Sequence, residues 1–166
     1  MKIIMDAMGG DNAPQAPVLG AVEAAKTYLR ENLPKIQKIA DQTLKAAGFS
    51  EQTVVSLLKP NRVNHVLGCR QTANEMALIY GVDTEDAERA ALLHDITKAL
   101  DGPLQLTLCR EYGINLDDFS ANNPKTLHAL TGSLVAERIF GENPEVVAAI
   151  RSHTTGKADM NTLEKI

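Results

Sequence analysis

Residues 86–102, DAERAALLHDITKALDG, decide how the rest of the chain is read. Ala90, Leu92, Leu93, Ile96, Ala99 and Leu100 make the apolar stripe of a helix that begins near Asp83-Thr84 and stops at Gly102-Pro103. His94 and Asp95 interrupt that stripe, where a soluble helix ordinarily buries leucines. Neighbouring helix residues point about 100° apart, so an imidazole and a carboxylate side by side can aim into one cavity. Lys98, four residues after His94 and three after Asp95, reaches the same face. Neutral imidazole and carboxylate are both good ligands for a divalent cation.

Outward from this stretch the chain reads as helix in nearly every window. Pro34 opens an amphipathic helix with Ile36, Ile39, Ala40, Leu44 and Ala47, ending at Gly48. Ser50 caps a short helix to Leu58. A longer one runs from about Asn61 to Tyr80, with Val63, Val66, Leu67, Ala73, Ala77 and Leu78 as its core side and Gly81 closing it. Further helices span Pro103 to Tyr112, Asn123-Pro124 to Phe140, and Asn143-Pro144 to about Ser152. Asn161-Thr162-Leu163-Glu164 resembles a capping box at the start of a last one. The expected fold is all-α. The opening differs: residues 2–6 read as a short strand, DAMGGDNAP as a glycine-rich turn, and Gln15 to Arg30 as a helix. That strand has no evident partner, and the turn lacks both a Walker lysine and GxGxxG, so it is a weak phosphate motif.

Length and charge narrow the function. A chain of 166 residues is one domain with room for a core. Its net charge of -4 argues against broad nucleic-acid binding, and 4% aromatics without tryptophan leave few stacking platforms. A small anionic substrate held by a metal remains compatible with that charge. Without a basic leader or an 18-residue apolar run, the expectation is a soluble cytoplasmic protein with no membrane partner. Cys69 and Cys109 lie in helical patterns without metal-type spacing and read as buried thiols in a reducing compartment.

The four histidines fall at separate helices or helix ends. His65 follows Arg62 by three residues, so both project from one face. His94 precedes Asp95, His128 lies in LHALTG, and His153 in RSHTTG. One histidine per helix suits an inward-facing metal centre in a bundle; four separate hydrogen-bonded histidines is the alternative. Thr154, Thr155 and Gly156 offer hydroxyls and a backbone N–H to phosphate, or simply terminate a helix.

The ordered blocks RVNHVLG, AALLHDITKAL, NPKTLHALTGS and IRSHTTGKADMNTLEKI resemble the HD-domain hydrolases of the YqeK group, bacterial symmetrical dinucleoside tetraphosphatases. The resemblance covers about residues 34–166. It implies an HD-domain helical bundle that hydrolyses diadenosine tetraphosphate to two ADP at an iron-containing two-metal site, with manganese as an alternative metal. By position it makes His65, His94, Asp95, His128 and His153 metal ligands, with Asp95 bridging. Asp95, Lys98 and Arg62 become the catalytic set, with Arg62 and Lys98 also binding substrate; Thr154, Thr155 and Gly156 join the substrate-binding set on their own chemistry, not by the resemblance. Two cations would activate water and neutralise phosphate charge, while lysine and arginine add positive charge along the polyphosphate. The implied partners are a small nucleotide and no nucleic acid, with a homodimer as an open assembly. That family carries a further Asp after the LEKI block, past Ile166, so a C-terminally truncated domain with a weakened second metal is expected. Residues 1–25 resemble instead the opening of bacterial phosphate acyltransferase (the PlsX family), as a segment and not an independent domain. Two other readings stay open: an HD phosphohydrolase for another nucleotide, and a non-catalytic chimera that keeps only the fold.

Overall fold

Side chains at the helix starts set the architecture. The computed structural model describes residues 48–166, all within the unit Leu44–Ile166. The strand, glycine turn and helix expected before Arg30, and the helix opening at Pro34, lie outside the described residues. Ser50 accepts from the Thr53 amide and opens α1, Glu51–Leu57. Proline at the first turn opens α2, Pro60–Tyr80, which Gly81 closes at a φ of 68°. Asp83 accepts from two amides at the start of α3, Thr84–Leu93, and Asp101 from the Leu104 amide at the start of α4, Gly102–Glu111. Asp117 caps a short α5, Asp118–Asn122, which the sequence reading did not anticipate. A 3-10 turn at Pro124–Thr126 leads into α6, Leu127–Val135, which runs on through a π-helical turn, Ala136–Phe140. Asn143 caps α7, Pro144–Ser152, and a reciprocal Asn161–Glu164 capping box starts α8, Thr162–Lys165. Each such cap is worth about 1 kcal/mol. Among the described residues all regular structure is helical, and no helix is long and apolar enough to cross a membrane.

Helix α3 packs against both α2 and α7, and α6 lies on α7 and α4. Leu92, Leu93, Val66, Val146 and Ile150 are almost wholly buried between them. Alanines at 73 and 77 on α2, 87 and 90 on α3, and 149 on α7 let these backbones approach closely. The buried face of α2 runs through Val66, Ala73 and Ala77, so Leu78, one step of about 100° further, points away. It is 76% exposed, and its expected place in the core is corrected. Arg89 on α3 forks onto buried Glu142 through two bonds of 2.7 Å and stacks 4.0 Å above the Phe49 ring, tying α3 to the turn before α7.

Two further expectations fail for local reasons. The helix read as continuous from Asp83 to Gly102 stops at Leu93. Beyond it the backbone tightens into turns, with bonds from Ile96 to Leu93, Lys98 to Asp95 and Leu100 to Thr97. The Thr97 carbonyl, which a continuing helix would satisfy from residue 101, accepts the buried Gln105 amide at 2.8 Å instead. An apolar stripe fits both helix and tight turns, so periodicity alone could not separate them. At the other site, Asn123 does not cap α6 with its side chain; its amide donates to the Phe119 carbonyl, and the chain enters through the 3-10 turn.

Candidate metal centre

The end of α3 delivers the HD pair into the protein. His94 is the C-cap of α3 and His153 the C-cap of α7; His65 sits on α2, and His128 on the first turn of α6. Gly132 on α6 faces the HD turn, where an added Cβ would lie 3.5 Å from the His94 carbonyl. Below that turn, Thr97 Oγ1 donates to the His128 carbonyl at 3.0 Å and lies 2.8 Å from Thr131 Oγ1, while Thr97 also holds Gln105. This buried knot couples the Asp95 turn to α6 and α4. Sequence reasoning missed it, because isolated Thr and Gln residues carry no periodic signal.

Asp95 is 2% exposed and stands between two pairs of imidazoles. Its Oδ2 lies 3.5 Å from His94 Nε2 and 3.8 Å from His65 Nε2; its Oδ1 lies 3.5 Å from His128 Nε2 and 3.9 Å from His153 Nε2. Within the pairs, His65 and His94 present Nε2 atoms 3.2 Å apart, and His128 and His153 present theirs 3.1 Å apart. The tautomers follow from the other ring nitrogen. A carbonyl only accepts, so the Nδ1–H groups of His94, His128 and His153 donate to Ala91, Lys125 and Ile150 at 2.7, 2.8 and 2.6 Å. Each donation runs back three residues along its own chain and leaves an Nε2 lone pair facing the cluster. Burial lowers the pKa of all three imidazoles, favouring the neutral, ligating form.

Cations already surround the carboxylate. Burial alone would raise the Asp95 pKa, but the Arg62 hydrogen bond and the nearby His94, Arg62 and Lys98 hold it below the usual range. Arg62 donates to Oδ2, and Lys98 Nζ is 4.0 Å from Oδ1 and 2.9 Å from His128 Nε2. Thr154 Oγ1 lies 3.1 Å from both His128 Nε2 and His153 Nε2. Thr155 and Gly156 are not drawn in the same way. The Thr155 hydroxyl donates to the Gly156 carbonyl, and the Gly156 N–H closes α7 on the Ser152 carbonyl, so it is not free for a phosphate. Cys69 corrects the sequence reading too: it is half-buried, with Sγ 3.6 Å from His65 Nε2. Its i, i+4 spacing from His65 was the available signal. A cavity of about 320 Å³, lined by His65, His94, His153 and the alanines of α2, α3 and α7, opens beside the cluster.

The donors fit divalent cations. Two neutral Nε2 lone pairs about 3.1 Å apart have no proton to share, whereas one cation with bonds of about 2.0–2.1 Å to nitrogen accepts both. Two groups of donors, His65-Cys69-His94 and Asp95-His128-His153, each lie within 4.8 Å of one another.

A symmetrical bis(5'-nucleosyl)-tetraphosphatase of Halalkalibacterium halodurans is 38% identical over 120 residues, 72% of this chain and 64% of that protein. Its counterpart in Staphylococcus aureus is 34% identical over 66% of this chain and 56% of that protein. The chain thus spans somewhat under two thirds of these relatives. A crystal structure of a predicted HD superfamily hydrolase involved in NAD metabolism from Clostridium acetobutylicum matches with a TM-score of 0.68 at 36% identity, over 71% of this chain and 65% of that one. The phosphate acyltransferase of Bacillus cytotoxicus is 29% identical over 175 aligned positions, 88% of this chain and 52% of that protein. That likeness runs well past the first 25 residues to which the sequence reading confined it. The alignment is longer than the 166-residue chain and therefore gapped. HD domains bind divalent metals, and the HD-domain model matches residues 62–166, from Arg62 through every candidate ligand. The chain belongs to the HD-domain family.

Proposed function

We propose that this chain hydrolyses dinucleoside polyphosphates, splitting diadenosine tetraphosphate into two ADP at a site for two divalent cations. The observation that carries the reading is Asp95, with one carboxylate oxygen turned to each histidine pair. His65 and His94 hold one cation, and His128 and His153 the other. A mostly nitrogen donor set with one carboxylate suits iron, with manganese as the alternative. Bound cations supply an activated water and neutralise phosphate charge.

The protein's own groups do the rest. Asp95 keeps the two halves in register, and the three Nδ1–H bonds stop the imidazoles from turning away. Lys98, 40% exposed, is free to swing from His128 to a phosphate oxygen. Among the described residues the buried Nε–H of Arg62 has no acceptor, a donor available to an anion. The Thr154 hydroxyl positions a second oxygen. Thr155 contributes at most its exposed hydroxyl, and Gly156 no N–H. One water adds across the central phosphoanhydride, so each half leaves with two phosphates. Residues 34–166 form the hydrolase body, and the acyltransferase likeness expected of residues 1–25 extends into it. The relatives' names support a small nucleotide as partner, which fits a cytoplasmic place of action; a homodimer is compatible with this reading.

The test is a substrate panel on protein purified without chelator. Diadenosine tetraphosphate should give ADP alone, faster than mononucleotides or cyclic nucleotides, with iron or manganese bound. Products of ATP plus AMP, or preference for another nucleotide, would overturn the substrate. A folded, metal-free and inert chain would overturn the enzyme.

A further inference from the structure

The half of the centre built on α2 holds a donor that neither the proposed reaction nor the histidine pattern uses. Cys69 stands one helical turn after His65, its Sγ 3.6 Å from His65 Nε2. The ligand atoms of His65, Cys69 and His94 lie within 4.8 Å of one another, and the deeply buried Asp95 turns Oδ2 to the same point. The separations are 3.6 Å for sulfur to His65, 3.2 Å between the imidazoles, and 3.5 and 3.8 Å from Oδ2 to His94 and His65. A tetrahedral cation with bonds of about 2.3 Å to sulfur and about 2.0–2.1 Å to nitrogen or oxygen sets its ligands about 3.3–3.6 Å apart. Four of the six edges of such a site thus stand near these values, and the Cys69 Sγ lies within 4.8 Å of the His94 ligand atom. Among the described residues the other half has no sulfur: its donors are His128, His153 and Asp95 Oδ1, with the Thr154 hydroxyl beside them.

We propose that Cys69 is a metal ligand, and that His65, Cys69, His94 and Asp95 make one half of the centre a site for a thiophilic divalent cation such as zinc, cobalt(II) or ferrous iron. This rests on the metal-centre reading above and adds an unequal pair of sites to it. Binding breaks the Cys69 S–H bond, forms a sulfur–metal bond and releases the proton to solvent. Imidazole and carboxylate alone accept manganese or magnesium readily; a thiolate biases the site towards softer ions. Arg62, which holds Oδ2 in this structure, is 31% exposed and has room to turn outward when a cation arrives.

The test uses the full chain, stripped by chelation and titrated with cobalt(II). A near-ultraviolet sulfur-to-cobalt charge-transfer band should grow to one equivalent in the native protein and in Cys109→Ser, since Cys109 is buried on α4. It should vanish in Cys69→Ser, while visible cobalt bands persist. Zinc affinity should fall at least about tenfold in Cys69→Ser, and manganese affinity should barely change. Visible cobalt bands without the charge-transfer band in the native protein would overturn the role of Cys69 and leave the metal centre standing. No cobalt bands at all would overturn both. Should Cys69→Ser fail to fold, zinc protection of Cys69 from alkylation in the native chain decides. Slowed alkylation supports the ligand, and equal alkylation with and without zinc refutes it.

Discussion

The two halves of the candidate centre are built to different standards. On the α6–α7 side, His128 has only 3% of its side chain exposed, is tied to the Lys125 carbonyl, and rests on the Thr97–Gln105–Thr131 knot. On the α2 side, His65 is 44% exposed, and among the described residues no carbonyl anchors its ring. His128 is preorganised by burial, and His65 only by its spacing from Cys69 along a single helix, while their partners His153 and His94 are both anchored to carbonyls. Preorganisation by burial ties ligation to stability, so damage there should unfold as well as unload. Damage on the surface half should only unload.

The largest effect is expected at the one residue the halves share. Asp95→Ala should strip both cations and cost far more metal affinity than the roughly 10–100-fold typical of a lost outer-shell partner. Metal analysis beside circular dichroism checks this, and full occupancy in the variant would break the bridging argument. Next come the histidines as a contrast. His128→Ala should remove one cation and destabilise the fold by about 1–3 kcal/mol, through a lost buried hydrogen bond and an unfilled site. His65→Ala should remove the other cation and change stability by no more than about 0.5 kcal/mol. Equal losses of stability in chemical denaturation would erase the distinction.

Gln105→Leu sharpens the comparison without touching a ligand. It removes one of the two donors to the Thr97 carbonyl and an acceptor of the buried Thr131 hydroxyl, costing about 1–3 kcal/mol, and should weaken the cation held by His128 and His153 more than that held by His65. Equal weakening, read by metal titration, would mean that the knot supports both halves alike. The smallest effect is that of acid on chelated protein. Burial lowers the pKa of His94, His128 and His153, so below about pH 6.5 the unfolded chain binds protons that the folded chain resists. Stability should be full above that pH and fall as the pH drops towards the lowered values. A melting temperature that is flat or rising from pH 7 to 5 would contradict it.

Much of this was legible in local sequence because its causes are local. Ser50, Asp83, Asn143 and the Asn161–Glu164 pair cap the helices they precede, since capping joins side chains and amides two or three residues apart. The all-helical class followed from these signals and from apolar periodicity. His65, His94, Asp95, His128, His153, Lys98, Arg62 and Thr154 are of types that bind cations and phosphates, but the types alone leave separate hydrogen-bonded histidines open, and only the resemblance to the YqeK group joins the histidines and Asp95 into one set. What the sequence could not decide is who competes for a backbone. After Leu93 the chain runs in tight turns, and there the Gln105 amide, reaching back from the next helix, shares the Thr97 carbonyl with the Leu100 N–H. Leu78 faces out because the packing face of α2 is set by its partner helices, and Cys69 becomes a donor only because α3 carries His94 to within reach of His65. Local bonding reads out of order along a chain; a shared carbonyl or a shared cation depends on distances between segments, and those exist only once the helices have packed.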